Sequence, residues 1–462
     1  MYSSNFNNLL LNVDSYKASH WLQYPPNTEY ISYYIEARKS SFDLVMFGLQ
    51  AFIKEYLLTP ITQADIEQAE ITLTAHGLPF HKEGWQRLLK KYNGLLPIKI
   101  DAVPEGTVLP VGNVVCQIVN TDPEFYWLSG YLETALLRAV WYPSTVASIS
   151  YFCKQKIKQA LLKSSDTLDG LDFQLHDFGA RGASSLETVA LGGLAHLVNF
   201  RGTDSVSALL AAKRWYNVTK MPAFSIPAAE HSTITAWGKD NEAMAYDNMI
   251  TQFAGKDKIY AVVSDSYNLW NALENIWGEQ LHQKIKEKGG RLVIRPDSGD
   301  PIEIVCKTLE ILAEKFGTTI NSKGYKVLPD YIRIIQGDGI NMTSLDPILD
   351  AIMQKGFSAE NVNFGMGGGL LQQVNRDTMS WAMKASAICI NGEWKDIFKA
   401  PITSQMKRSK KGIQALIHEN NQWQTIRQDE LADRENQLKT VFLNGELLVD
   451  EHLDSIRKKT LG

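Results

Sequence analysis

Seven short clusters of Asp, Arg, His and Gly recur between residues 176 and 369, and their side chains suit the handling of phosphate and sugar. They are His176-Asp177-Phe178-Gly179-Ala180-Arg181-Gly182, Arg201-Gly202-Thr203-Asp204, Glu230-His231, Ser264-Asp265-Ser266, Arg295-Pro296-Asp297-Ser298-Gly299, Gln336-Gly337-Asp338-Gly339 and Gly365-Met366-Gly367-Gly368-Gly369. Gly367, Gly368 and Gly369 let backbone N–H groups approach an anion, or form a tight turn. Gly337 and Asp338 present a carboxylate on flexible backbone, suited to a ribose diol or to an ordinary Asp-Gly turn. Arg181 and Arg295 are bidentate donors for phosphate, or members of surface ion pairs. Asp265 and Asp297 can hold Mg²⁺ directly or through water, or orient His231, or cap the helices that follow them. Phe178 is core, or a platform for a flat ligand.

Each cluster follows a short apolar run. The runs are Phe173-Gln174-Leu175, Leu197-Val198-Asn199-Phe200, Ala223-Phe224-Ser225-Ile226, residues 259–263, Leu292-Val293-Ile294, residues 331–335 and Val362-Asn363-Phe364, with a further candidate in Ala387-Ile388-Cys389-Ile390. Their spacing of roughly 25–40 residues is that of βα units and predicts an α/β fold with a parallel sheet. Parallel strands bring every cluster to one rim, where barrels place their active sites. Seven or eight units suit a closed (β/α)₈-type barrel better than an open sheet. A doubly wound sheet is the alternative, weakened by the absence of a GxGxxG fingerprint.

Residues 97–119 alternate in polarity between turn residues, which predicts a small β element. Phe442-Leu443-Asn444-Gly445-Glu446-Leu447-Leu448 reads as a hairpin, and 450–459 as a last helix. The expected domains are an N-terminal part at 1–165, a barrel at 166–390 and a C-terminal part at 391–462 that completes a discontinuous α+β domain. The basic run at 407–411 is a solvated loop or a lid over polyphosphate.

The chain has 462 residues, a net charge of -4, and 44% hydrophobic content. That charge argues against a nucleic-acid binder. No apolar run reaches the ~18 residues of a membrane span, and residues 1–6 carry no signal-peptide pattern. Cys116, Cys153, Cys306 and Cys389 form no CxxC pair, which predicts free thiols in a reducing cytoplasm.

Taken as ordered blocks, these motifs resemble the nicotinamide phosphoribosyltransferases, from Asp14-Ser15-Tyr16-Lys17 to the C-terminal hairpin. The carriers are His176-Asp177-Phe178-Gly179, Gly202-Thr203-Asp204, residues 227–238, Val263-Ser264-Asp265-Ser266-Tyr267, Ile294-Arg295-Pro296-Asp297-Ser298-Gly299, Ile335-Gln336-Gly337-Asp338-Gly339 and Gly367-Gly368-Gly369-Leu370-Leu371-Gln372. The resemblance implies the irregular barrel of the type II phosphoribosyltransferases and a head-to-tail homodimer with shared active sites. It implies transfer of phosphoribose from phosphoribosyl pyrophosphate to nicotinamide, with Mg²⁺, and with ATP as co-substrate. His231 would be phosphorylated by ATP, and Asp265 and Asp297 would serve the metal and the histidine. Asp204 would accept from the carboxamide NH₂. Phe178 and the partner's copy of Tyr16 would sandwich the pyridine ring. Arg181, Arg295, Gly367 and Gly368 would bind the 5′-phosphate region, and Gly337 and Asp338 the ribose. Arg38, Arg376 and Lys384 from the partner would clamp pyrophosphate or ATP phosphates. Ala180 and Ala382 depart from the Tyr and Ser usual in animal members. Nicotinate phosphoribosyltransferase is the nearest rival, disfavoured because Asp204 would repel a ring carboxylate. A retired, non-catalytic member is the other.

Overall fold

The computed structural model describes residues 6–400 and 409–461. They fall into two units, one drawn from Met1–Ser148, Ala212–Val218 and Asn375–Gly462, the other from Ile149–Ala211 and Thr219–Val374.

The second unit is built on a curled parallel sheet of six strands. Their order is Gly202–Thr203, Leu175–Asp177, Val362–Met366, Ile332–Gln336, Arg291–Arg295 and Ile259–Val263. The longer strands are rich in Ile and Val and largely buried, as parallel strands covered by helices must be. Helices return the chain between them. The clearest is Pro301–Phe316, where Asp300 accepts from the N–H groups of Ile302 and Glu303, Pro301 opens the first turn, and Gly317 at φ +80° ends the helix.

The first predicted strand is displaced, Phe173 closing a short helical turn and the strand running Leu175–Asp177, and two others took other forms. Leu197, Val198 and Phe200 are buried, but the N–H groups of residues 197–200 donate back to Gly193, Ala195 and His196. That run is the tail of the Leu186–His196 helix, and the strand is the Gly202–Thr203 pair just beyond it. Four apolar residues fit a buried turn as well as a strand. Residues 223–226 form no regular strand either. Phe224 bridges to Gly202 and Ala228 to Ala261, both in parallel sense. The segment therefore ties the sheet's first edge to its last as an irregular stave. Pro222 and Pro227 flank it and remove the N–H groups that a full ladder needs.

The first unit carries a seven-stranded antiparallel sheet. Its order is Glu393–Asp396, Trp381–Ile390, Thr28–Ala37, Val114–Asn120, Ile98–Ala102, Lys439–Leu443 and Glu446–Leu447. Residues 387–390, the candidate eighth barrel strand, lie here, paired with Thr28–Ala37. The chain passes between the units at 148/149, 211/212, 218/219 and 374/375; from the sequence alone the expected boundaries are 165/166 and 390/391. The hairpin turns through Asn444 at φ 49° and Gly445 at φ 92°, the left-handed pair that a two-residue turn requires. The last helix is Leu453–Leu461. In the basic run, Lys407 and Arg408 lie outside the described residues. Lys410 reaches Glu36 Oε2 at 2.5 Å and the carbonyl of Gly112 at 2.8 Å.

Candidate active site

The strand ends of the second unit surround a cavity of ≈ 640 Å³ in the curl of the sheet. Phe178, Asp204, Ser225 and Arg295 line one end, and Ile259, Arg291 and Arg333 the other. Phe178 follows the Leu175–Asp177 strand, its N–H donating to Met366 O at 3.0 Å. Its ring lies so close to the Gly365 backbone that a Cβ there would fall 2.0 Å from Cε2. The Arg295 guanidinium lies over the same ring, 5.5 Å from its centroid. Asp177 anchors the turn from below: Oδ1 accepts from Gly179 N–H at 2.7 Å and Oδ2 from Thr203 Oγ1 at 3.3 Å. Burial raises its carboxyl above the usual range. His176, facing the cavity, is pushed down by burial and stays neutral at pH 7.

Beside this end runs a chain of charged groups. His231 opens the one-turn helix His231–Thr235, with 48% of its side chain exposed, and its Nε2 lies 2.9 Å from Asp265 Oδ1. Asp265, two residues beyond the Ile259–Val263 strand, is 5% exposed. Its Oδ2 accepts from Ser298 Oγ at 2.5 Å and from Asp297 N–H at 3.2 Å. Asp297 Oδ1 in turn accepts from Arg295 Nη2 at 2.8 Å and Nε at 3.1 Å. So His231, Asp265, Asp297 and Arg295 form one connected array. Gly337 adjoins it, since a Cβ there would lie 3.5 Å from the Phe178 ring and 3.7 Å from Asp297 Oδ1. Asp338 is exposed, and its carbonyl accepts from Gln336 Nε2. Gly367 precedes the single turn Gly368–Leu371, where a Cβ on Gly368 would meet open space. Gly182, next to exposed Arg181, approaches Gly368, with its Cβ position 3.7 Å from Gly368 Cα.

Tyr16, Arg38, Arg376 and Lys384 belong to the first unit. Tyr16 is 57% exposed. Lys384 lies on Trp381–Ile390 opposite Tyr34. Burial lowers its pKa, the Glu133 carboxylate opposes this, and the Arg38, Lys17 and Arg376 cations push it down. Arg38 pairs with Glu36 at 2.7 Å. The cations are interleaved with acids, Lys17 pairing with Glu133 at 2.6 Å.

Among the described residues, no group of three or more His, Cys, Asp or Glu is placed to hold a metal ion. Both Asp265 oxygens and Asp297 Oδ1 are already engaged by His231, Ser298, Asp297 N–H and Arg295. The carboxylates thus fit a hydrated Mg²⁺ that keeps several waters, not a direct cage.

Comparison with known proteins gives the family. Residues 173–446 match the nicotinate phosphoribosyltransferase family, and residues 8–100 the N-terminal domain of nicotinamide phosphoribosyltransferase. A nicotinamide phosphoribosyltransferase of Xanthomonas campestris is 51% identical over 97% of both chains. The chain belongs to the nicotinamide phosphoribosyltransferases. One from Acinetobacter baylyi is 32% identical, over 97% of this chain and 96% of that one. The fold is that of the type II phosphoribosyltransferases. A nicotinate-nucleotide pyrophosphorylase from Pyrococcus furiosus superposes with a TM-score of 0.64 at 17% identity, covering 100% of this chain and 97% of that one. The human nicotinic acid phosphoribosyltransferase does so at 0.55 and 16%, covering 97% and 92%.

Two polar groups at the site escape sequence reasoning. Ser298 closes the Asp265 hydrogen-bond set, and Ser225 Oγ donates to Asp204 Oδ1 at 2.7 Å. Ser298 sits in a cluster that invited inspection. Ser225 sits in an apolar run, and nothing local marks it.

Proposed function

We propose that this chain transfers phosphoribose from phosphoribosyl pyrophosphate to nicotinamide, giving nicotinamide mononucleotide and pyrophosphate in NAD salvage, with ATP hydrolysis coupled through phosphorylated His231. One observation carries the reading: an aromatic platform, Phe178, and an amide-accepting carboxylate, Asp204, share a cavity with Arg295, whose guanidinium is paired with Asp297. The ring nitrogen attacks as a neutral amine, so the transfer requires no base. The site must align ring and sugar, which the Phe178 face and Asp204 accomplish. As pyrophosphate leaves, C1 of the sugar becomes cation-like, and Arg and Lys groups stabilise the departing charge. Asp265 and Asp297 would hold a hydrated Mg²⁺, which would supply further neutralisation of that charge.

His231 stands apart from the transfer. With Nε2–H donating to Asp265, the lone pair lies on Nδ1. That nitrogen attacks the γ-phosphorus of ATP, the bond to the bridging oxygen breaks, and ADP leaves; Asp265 faces the resulting positive ring. Arg181, Gly367 and Gly368 take the 5′-phosphate region, and Gly337 and Asp338 the ribose. Tyr16, Arg38, Arg376 and Lys384 reach the site from a second copy in a head-to-tail homodimer. Four buried, free cysteines suit a reducing cytoplasm. None of the described helices is long and apolar enough to cross a membrane.

The test is an assay of nicotinamide against nicotinate with phosphoribosyl pyrophosphate and Mg²⁺, with and without ATP. Nicotinamide is expected to be preferred, and Asp204→Asn or Asp204→Ser to narrow the gap, since a carboxylate beside the ring substituent repels nicotinate. Comparable kcat/KM for the two substrates in the unmutated enzyme defeats the reading.

A further inference from the structure

The geometry points to Ser225 as a positioning residue that sets the amide-reading carboxylate, Asp204, and so governs the choice between an amide and an acid on the ring. The inference rests on the role given to Asp204 above.

The contact is Ser225 Oγ to Asp204 Oδ1 at 2.7 Å. It joins two segments that are each held from elsewhere. Asp204 follows the Gly202–Thr203 strand, and its N–H donates to Asp177 O at 3.0 Å. Ser225 lies on the irregular stave. There Phe224 N–H donates to Arg201 O at 2.7 Å, and Thr203 N–H to Phe224 O at 3.2 Å. Past Ser225, Ala261 N–H donates to Pro227 O at 2.9 Å, and Ala229 N–H to Ala261 O at 3.0 Å. The serine is therefore clamped on both sides by backbone, and Ser225 and Asp204 both line the cavity that Phe178 lines.

Two consequences follow from donor and acceptor counting. An exposed Asp has several rotamers, and the Ser225 hydrogen bond selects one of them. A serine hydroxyl has a single hydrogen. With that hydrogen on Asp204 Oδ1, the pair faces a ligand with acceptors alone: Asp204 Oδ2 and the Ser225 lone pairs. A carboxamide NH₂ brings two hydrogens to that edge, whereas a carboxylate brings none. Ser225 thus spends on Asp204 the hydrogen that a nicotinate carboxylate would need.

The experiment compares Ser225→Ala and Ser225→Thr with the unmutated full-length enzyme. It measures kcat and KM for nicotinamide and for nicotinate, together with Tm. For Ser225→Ala we expect KM for nicotinamide to rise about tenfold, the effect of one lost polar contact. We expect kcat to stay within about twofold, because the transfer step itself is untouched. The preference for nicotinamide shrinks accordingly. Ser225→Thr, which keeps the hydroxyl, restores it. In an Asp204→Ala background, Ser225→Ala should leave the preference unchanged, because its effect passes through Asp204. Should Ser225→Ala fail to fold, Ser225→Cys, with its weak donor, reads the same ratio. An unmutated enzyme that prefers nicotinamide and a Ser225→Ala variant with the same preference overturn this inference alone. Equal use of both substrates by the unmutated enzyme overturns the functional reading with it. Equal losses for both substrates, with a lowered Tm that Ser225→Thr does not restore, assign Ser225 a structural role and also overturn the inference.

Discussion

In the proposed phosphorylation, His231 and Asp265 divide their work by exposure. The imidazole is about half exposed, where a phosphate can reach it, and the carboxylate behind it is buried and held by two further donors. His231→Ala is expected to abolish ATP hydrolysis yet leave slow, ATP-independent nicotinamide mononucleotide synthesis, because the transfer needs no imidazole. ADP release and product formation measured in parallel check this, and unchanged ATPase activity in the variant removes the phosphohistidine. Gly365 offers a test of the ring platform. Its backbone would tolerate alanine, but the new Cβ would lie 2.0 Å from the Phe178 ring. Gly365→Ala should displace that ring and raise KM for nicotinamide about tenfold or more, a loss comparable to one stacking contact. An unchanged KM would show that Phe178 does not carry the pyridine.

The Leu175–Asp177 strand carries Phe178, and it is held in part by a buried histidine. His196 ends the Leu186–His196 helix; its Nε2 lies 3.2 Å from Leu175 O and its Nδ1 2.9 Å from Ser150 Oγ. Burial pushes its pKa down to about 3. The unfolded chain takes up this proton below about pH 6.5, while the folded chain refuses it until about pH 3. The contribution is therefore complete above pH 6.5 and declines as pH falls, by up to ~1.4 kcal/mol per pH unit. His196→Gln should make the fall in denaturation midpoint between about pH 6.5 and pH 4.5 shallower than in the unmutated protein. Superimposable slopes would assign the acid sensitivity elsewhere. The neighbouring elements show what local pattern can and cannot reveal. The strands Ile259–Val263 and Arg291–Arg295 are legible because each is a short apolar run with a polar cluster behind it. Leu197-Val198-Asn199-Phe200 looks the same in one dimension but folds as a helix tail, because its N–H groups find carbonyls in the preceding turn. The stave at 223–228 is legible as an extended segment. Its role in tying Gly202 to Ala261 depends on partners that periodicity does not name.

At the scale of the whole molecule, the expected homodimer makes a prediction that one chain cannot. A Tyr16→Ala, Arg38→Ala variant and an Asp204→Ala, Asp297→Ala variant should each be inactive. If each site draws on two copies, mixing them with subunit exchange should regenerate about one quarter of the unmutated activity, since half the dimers then carry one intact site. Activity that stays at the level of the separate variants would mean that each chain serves its own site. The residue types and their order were enough to specify an α/β chain with polar groups at the ends of parallel strands, because turn chemistry and short apolar runs act over a few residues. They also carried the family resemblance. Tertiary structure alone decided that 387–390 joins an antiparallel sheet, that Asp265 is shared by His231 and Ser298, and that Ser225 commits its one hydrogen to Asp204. Those pairings join residues 21 to 34 positions apart, or on strands more distant still. They exist only where the curled sheet brings separate strand ends within hydrogen-bond reach, or where a returning strand finds an open edge.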